Sequence, residues 1–171
     1  MTTDTIHATT IDSPLGVLTI TAGDEGVRGV TWPHDDEGRV PMAQAVEPGP
    51  HPVVDEAARQ LAEYFAGERQ DFDVPLDPLG TEFQQAAWIA LRTIPYGETV
   101  SYGEQAGRMG DVRKARAVGA ANGRNPISII VPCHRVVGAD GSLTGFAGGI
   151  DSKAWLLDHE RRHSGHTLDF D

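Results

Sequence analysis

The segment SYGEQAGRMGDVRKARAVGAAN, Ser101 to Asn122, contains two helix beginnings in close succession. Ser101 and Glu104 form a capping box, in which a hydroxyl and a carboxyl each satisfy a backbone N–H that the first helical turn leaves unpaired. That helix runs to about Met109, Gly110 ends it, and Asp111 caps a second helix reaching about Asn122. Two short helices joined by a glycine turn, the second carrying Arg113, Lys114 and Arg116, match a helix-turn-helix. A plain helical hairpin has the same pattern, so both readings stand on composition. The second helix has little bulk, with Ala115, Ala117, Gly119, Ala120 and Ala121. Small residues suit packing against a neighbouring helix and equally suit close approach to a DNA groove.

Upstream, Thr81 and Gln84 form another capping box for a helix through Arg92, with Ala87, Trp88 and Leu91 on its apolar side. Pro95-Tyr96-Gly97 reads as a turn. Asp71 to Gly80, broken by Pro75, Pro78 and Gly80, reads as a linker and sets a domain boundary between residues 76 and 77. Residues 1–76 form an expected α/β domain, and 77–171 a mainly α domain. In the first, Thr5–Ile11, Val17–Thr21 and Val27–Trp32 are β-branched runs separated by turn residues, which predicts a three-stranded antiparallel meander. Residues 33–52 read as a long exposed loop. Val54, Ala57, Ala58, Leu61, Ala62 and Phe65 then recur at helical spacing, and Gly67 is placed to end that helix.

Bulk properties narrow the class. With 39% hydrophobic and 23% charged residues among 171, the chain has an ordinary globular composition. No run approaches the roughly 18 apolar residues of a membrane span, and the N-terminus lacks the features of a signal peptide. One cysteine forms no internal disulfide, so a reducing cytoplasm is the expected compartment. The net charge of −11 is unevenly spread. Residues 1–80 carry 15 acidic and 4 basic side chains, whereas 81–171 carry 10 of each. Six basic residues fall within 100–135 against Glu104 and Asp111, leaving a local cationic patch able to attract phosphates. A solvated helix face has the same composition.

Downstream, Pro132-Cys133-His134-Arg135 holds the only cysteine. It follows an apolar run, Ile127 to Val131, that reads as a buried strand. A lone cysteine is more often a small buried hydrophobe than a nucleophile. His134, Glu160 and Tyr102, each taken alone, are ordinary packing or solvated residues.

Joint pattern reverses these readings. The chain resembles the O6-alkylguanine-DNA alkyltransferases, or methylated-DNA–protein-cysteine methyltransferases. The resemblance runs through Ile94-Pro95-Tyr96-Gly97-Glu98-Thr99, Ser101-Tyr102, Ala115-Arg116-Ala117-Val118-Gly119, Asn125-Pro126 and Ile130 to Val136. It continues through Gly141 to Gly149 and ends with Leu156-Leu157 and Glu160, covering roughly residues 81–160 in one order. It implies a ribonuclease-H-like N-terminal domain and a C-terminal domain with a winged-helix-like helix-turn-helix. It also implies single-turnover repair of duplex DNA, with the O6-alkyl group of guanine, and conceivably the O4-alkyl group of thymine, passing irreversibly to Cys133.

The residue roles that follow are those the resemblance implies. His134 acts through a water on the thiol, Glu160 orients His134, and Tyr102 donates to the guanine ring. Arg116 fills the gap left by the rotated nucleotide, and Gly103, Arg113, Ala115, Ala117 and Gly119 lie at the DNA. Asn122, Val136, Phe146 and Ala147 line the base pocket, and Asn125 ties the helix-turn-helix to the active-site segment. Many relatives have Tyr at the position of Phe146, and some have a hydroxyl residue at that of Ala147. No cofactor and no metal are implied, because the N-terminal cysteines of zinc-bearing relatives are missing here. A monomer is expected, with cooperativity on DNA left open.

Rival readings remain. An alkylated-DNA-binding protein without chemistry shares the scaffold, but relatives of that kind lack the cysteine. A cysteine hydrolase uses a similar thiol, with a histidine usually far away in sequence. His159, Glu160 and His163 spell H-E-x-x-H, the helical zinc motif of metallohydrolases, with His166 as a conceivable third ligand. Only three positions of that motif are fixed, and Gly165 makes a helical third ligand awkward.

Overall fold

The computed structural model describes residues 5–35, 46–47 and 50–164. The chain divides into two units, Met1–Leu79 with Pro126–Ile130, and Gly80–Asn125 with Val131–Asp171.

In the first unit, β1 (Ile6–Ser13), β2 (Gly16–Gly23) and β3 (Gly26–Thr31) form the expected antiparallel meander. Ser13 closes the first hairpin, donating from Oγ to the Gly16 carbonyl at 2.7 Å. The two-residue strand β4 (Val46–Glu47) joins in parallel beside β1, giving the order β3-β2-β1-β4. This strand lies within the expected 33–52 loop, much of which falls outside the described residues. Leu18, Ile20 and Ala22 alternate along β2 and are fully buried. Helix α1 (Pro52–Phe65) starts with proline in its first turn, where the missing N–H costs nothing. It buries Val54, Ala57, Leu61 and Tyr64, and Gly67 follows its end at φ 79°.

Two segments read differently from the sequence also line the free edge of β3. The expected linker supplies Pro75 and Asp77. Val27 N–H donates to Pro75 O and Asp77 N–H to Val27 O, both at 2.8 Å, and Arg28 pairs with Asp77 at 2.9 Å. A Cβ on Gly26 would lie 2.7 Å from the Pro75 backbone, so this approach requires glycine. The expected strand Ile127–Val131 is not a strand. Ile127 makes one bridge to Val30, and Trp32 Nε1 donates to Ser128 Oγ at 3.1 Å. The chain then turns, with Ile130 N–H on Ser128 O at 2.9 Å and Ile129 at φ 75°. A β-branched residue in that region is strained by about 1–3 kcal/mol.

The second unit is mainly helical. Helix α2 (Glu82–Leu91) carries the Thr81–Gln84 capping box and buries Ala87, Trp88, Ala90 and Leu91. After a turn at Gly97, β5 (Val100–Ser101) leads directly into α3 (Tyr102–Arg108), capped by Ser101 and Glu104 as the sequence predicts. Gly110, at φ 109°, closes α3. Asp111 then accepts from Arg113 N–H at 3.0 Å, two residues on. That tight cap makes Val112–Lys114 a 3-10 turn, and α4 covers only Ala115–Gly123 of the expected second helix. Buried amides join these helices. Gln105 and Asn122 exchange hydrogen bonds at 3.0 and 2.8 Å, and Gln105 also donates to Ala87 O of α2. Trp88 Nε1 donates to Ala121 O of α4 at 2.9 Å. Last comes α5 (Ile150–His163), which follows a second short strand, β6 (Val136–Val137), paired in parallel with β5.

Candidate active site

Cys133 lies on a bend built by its neighbours. Its N–H reaches back to Val131 O at 2.9 Å across Pro132, whose φ of −84° and ψ of 66° make an inverse γ-turn. Asn125 Nδ2 donates to the same Val131 carbonyl at 2.8 Å, fixing the start of this turn to the end of α4. Residues Cys133–Arg135 then form a 3-10 turn. The β5–β6 pair sets Ser101 opposite Val137, so Tyr102 at the start of α3 and the cysteine turn share one frame.

His134 is fully buried, and its Nε2 meets Glu160 Oε2 of α5 at 2.7 Å. A carboxylate only accepts, so Nε2 carries the proton and Nδ1 presents a lone pair. Nδ1 is itself buried and makes no hydrogen bond among the described residues. Glu160 is gripped from a second side. Arg135 Nε donates to Oε1 at 2.8 Å and Nη2 to Oε2 at 3.0 Å, while Nη1 donates to Ile94 O at 2.7 Å. Burial opposes the charge on Glu160, but the His134 ring and the Arg135 guanidinium outweigh it and hold the carboxyl below the usual range. Burial also pushes the His134 imidazole below its ordinary value, against the pull of Glu160, which keeps it neutral at rest. Tyr96, under the Arg135 guanidinium at 5.6 Å, is pushed up to about 12 by burial and by Glu160.

Tyr102 Oη lies 2.7 Å from Thr144 Oγ1, and Gly119 of α4 faces the Tyr102 ring, with a Cβ there 3.6 Å from its edge. Phe146 stands edge-on to His134 at 6.5 Å, Val136 is buried, and Ala147 is half-buried. Arg116 and Ala117 are exposed on α4, while Ala115 and Gly103 are half-buried. The Arg113 side chain is 86% exposed and folds back on Asp111 at 3.0 Å. Asn122, expected at the base pocket, spends its amide on Gln105 inside the helical core.

Sequence reasoning missed Lys153. This lysine is 1% exposed on α5, donates to Thr144 O at 3.1 Å and stands 6.0 Å above the Tyr102 ring. Burial lowers its pKa, while its Coulombic interaction with Cys133 favours the charged form. The signal was available, since Lys153 lies on the same helical stripe as Leu156 and Glu160. Arg135 belongs to the same sequence motif, but the motif alone assigns it no role. The zinc reading is overturned by geometry. Glu160 is committed to His134 and Arg135, His159 stacks on Trp155 at 4.7 Å, and His163 Nδ1 bonds to His159 O. His166 lies outside the described residues, and among those described no three His, Cys, Asp or Glu side chains are grouped to hold a metal.

A cysteine backed by a buried His–Glu–Arg relay, in a unit built on a helix-turn-helix, defines a nucleophilic-cysteine protein of nucleic-acid-binding architecture. The profile for the 6-O-methylguanine DNA methyltransferase ribonuclease-like domain matches residues 6–78, and that for the DNA binding domain matches residues 82–162. The chain belongs to the 6-O-methylguanine DNA methyltransferase family. A methylated-DNA–protein-cysteine methyltransferase of Mycolicibacterium paratuberculosis is 49% identical over 163 residues, spanning 95% of this chain and 97% of that protein. One from Methanosarcina acetivorans is 49% identical over 85% of this chain and 92% of its own length. The crystal structure of Mycobacterium tuberculosis OGT in complex with DNA superposes with a TM-score of 0.83 at 48% identity, covering 95% of this chain and 97% of that one.

Proposed function

We propose that the protein repairs duplex DNA by taking the alkyl group from O6 of guanine onto Cys133, once per molecule. The observation that carries this reading is the buried His134–Glu160 contact beside the chain's only cysteine, with Nδ1 of the imidazole making no hydrogen bond among the described residues. O6 faces the pairing edge of the base, so the guanine must leave the stack before a sulfur reaches it. Arg116 occupies the space it leaves, a role its exposure on α4 supports, and the cationic stretch around α4 holds the phosphates.

The thiol gives its proton to Nδ1 of His134 through a bridging water, and Glu160 supports the imidazolium that forms. The sulfur then attacks the alkyl carbon, an S–C bond forms as the C–O6 bond breaks, and the electron pair stays on the base oxygen. The thiol's proton then passes from His134 to the departing base, while the Tyr102 hydroxyl donates a hydrogen bond to the ring, and the product is guanine. The lesion supplies the alkyl group, so atoms balance without a cofactor. A thioether is a poor leaving group, which makes the reaction single-turnover. A free thiol of this kind fits the cytoplasm, and the protein acts as a monomer within the two-domain division of residues 1–76 and 77–171.

Intact-protein mass spectrometry after incubation with a duplex containing O6-methylguanine tests the reading. One methyl adduct per chain, mapped to Cys133, is expected. Cys133→Ser should bind the same duplex and gain nothing. An unmodified wild-type protein, or an adduct elsewhere, overturns it.

A further inference from the structure

The segment Leu143-Thr144-Gly145-Phe146-Ala147-Gly148-Gly149 leads into α5 and carries one hydroxyl, that of Thr144. Phe146 and Ala147 offer no side-chain hydrogen bond to a base. Thr144 is nevertheless tied at two points. Its carbonyl accepts from the buried Lys153 ammonium at 3.1 Å, which fixes its backbone. Its Oγ1 lies 2.7 Å from Tyr102 Oη, a contact that either oxygen can donate. The same ammonium stands 6.0 Å over the Tyr102 ring, so lysine, threonine and tyrosine form one cluster within the second unit.

A phenol that donates to an arriving base cannot also donate to Thr144. A threonine hydroxyl has one proton and two lone pairs and rotates freely, so it can turn from acceptor to donor. Resting on the alkyl-transfer reading above, we propose that Thr144 is a positioning residue for Tyr102. Its hydroxyl holds the phenol in place before the base arrives, then donates to the phenol oxygen once the Tyr102 hydroxyl has turned to donate its hydrogen bond to the guanine ring. Chained hydrogen bonds polarise one another, so this second donor strengthens the Tyr102 bond as negative charge builds on the leaving base. The contribution belongs to the transition state more than to DNA binding.

Single-turnover transfer from a duplex containing O6-methylguanine, measured at saturating protein, separates the two. Thr144→Val keeps the shape and removes the hydroxyl; the maximal rate should fall about tenfold, the worth of one hydrogen bond to a charged group. Duplex affinity should stay within about twofold, and Thr144→Ser should restore the rate. In a Tyr102→Phe background, Thr144→Val should cause no further loss. Thermal unfolding of each variant checks folding, and Thr144→Ala replaces the valine variant if that one is unfolded. Wild-type rates in Thr144→Val or Thr144→Ala, an unrescued loss in Thr144→Ser, or an equal further loss in the Tyr102→Phe background would overturn the proposal. Failure of the wild-type protein to label Cys133 would instead overturn the alkyl-transfer reading beneath it.

Discussion

Arg135 grips Glu160 through both carboxylate oxygens, at 2.8 and 3.0 Å, one of which also meets His134 at 2.7 Å. The carboxylate therefore sits between a fixed cation and a neutral imidazole, with its charge already balanced. This differs from a bare carboxylate behind a histidine, because the ion pair holds Glu160 ionised whatever state His134 adopts. Glu160 is thereby kept ready to support the imidazolium when it forms.

Removing one member of such a buried pair leaves a charge with too few partners and costs about 3–5 kcal/mol. Arg135→Met should lose that much in urea unfolding, whereas replacing both members with apolar residues, as in Arg135→Met with Glu160→Leu, should recover part of it. An Arg135→Met protein within about 1 kcal/mol of wild type would show that Glu160 is not a buried anion.

Acid stability follows from the same pair. Burial holds the His134 imidazole below its ordinary value of 6.5, so the unfolded chain binds a proton there that the folded chain refuses. Stability is thus unaffected above 6.5 and falls as pH drops below it. The Glu160 carboxyl is also held below its ordinary value of 4.5, so a second loss begins near that pH and runs down through the folded-state value. The urea midpoint should stay level at neutral pH, then decline in two stages. His134→Gln should abolish the first stage and leave the second. A single decline beginning near 4.5 in the wild-type protein would mean that His134 takes up a proton without cost.

The parts legible in the sequence were those set by local chemistry. Thr81 with Gln84 and Ser101 with Glu104 make their caps from neighbouring atoms, so four residues suffice to read each helix start. The Ile127–Val131 run was misread because β-branched composition cannot distinguish a strand from one bridge followed by a strained turn at Ile129. Pro75 suggested a linker because proline lacks an N–H, yet the edge of β3 needed only its carbonyl. At the site, the family pattern identified Cys133, His134 and Glu160 as sequence positions. Arg135 and Lys153 acquire their meaning only when α5 folds over the turn, since their partners lie 25 and 9 residues away.

Lys153 gives a prediction of its own. Lys153 interacts electrostatically with Cys133, and a lysine near a cysteine is one of the settings that make a thiol more reactive. Lys153→Met keeps most of the stem and drops the charge, so alkylation of Cys133 by iodoacetamide at neutral pH should slow roughly tenfold. Transfer from O6-methylguanine should slow at least as much. Unchanged iodoacetamide reactivity in a folded variant would confine Lys153 to bracing Thr144.

Arg116 on α4 and Arg113 in the turn before it are both exposed, yet they should fail in different ways. Arg113 already bonds Asp111 and projects into solvent, as a phosphate contact would. Arg113→Ala should weaken binding to all duplexes alike and reduce the slope of log affinity against log salt by about one. Arg116 is proposed to stand in for the extruded nucleotide, which offsets a few kcal/mol of unstacking. Arg116→Ala should therefore slow transfer from duplex DNA by roughly 10- to 100-fold, with only a modest loss of affinity. An alkylated guanine base free in solution needs no extrusion, so its reaction with Cys133 should proceed at the wild-type rate in Arg116→Ala. An equal slowing with free base and duplex would place Arg116 in the pocket rather than in the DNA stack.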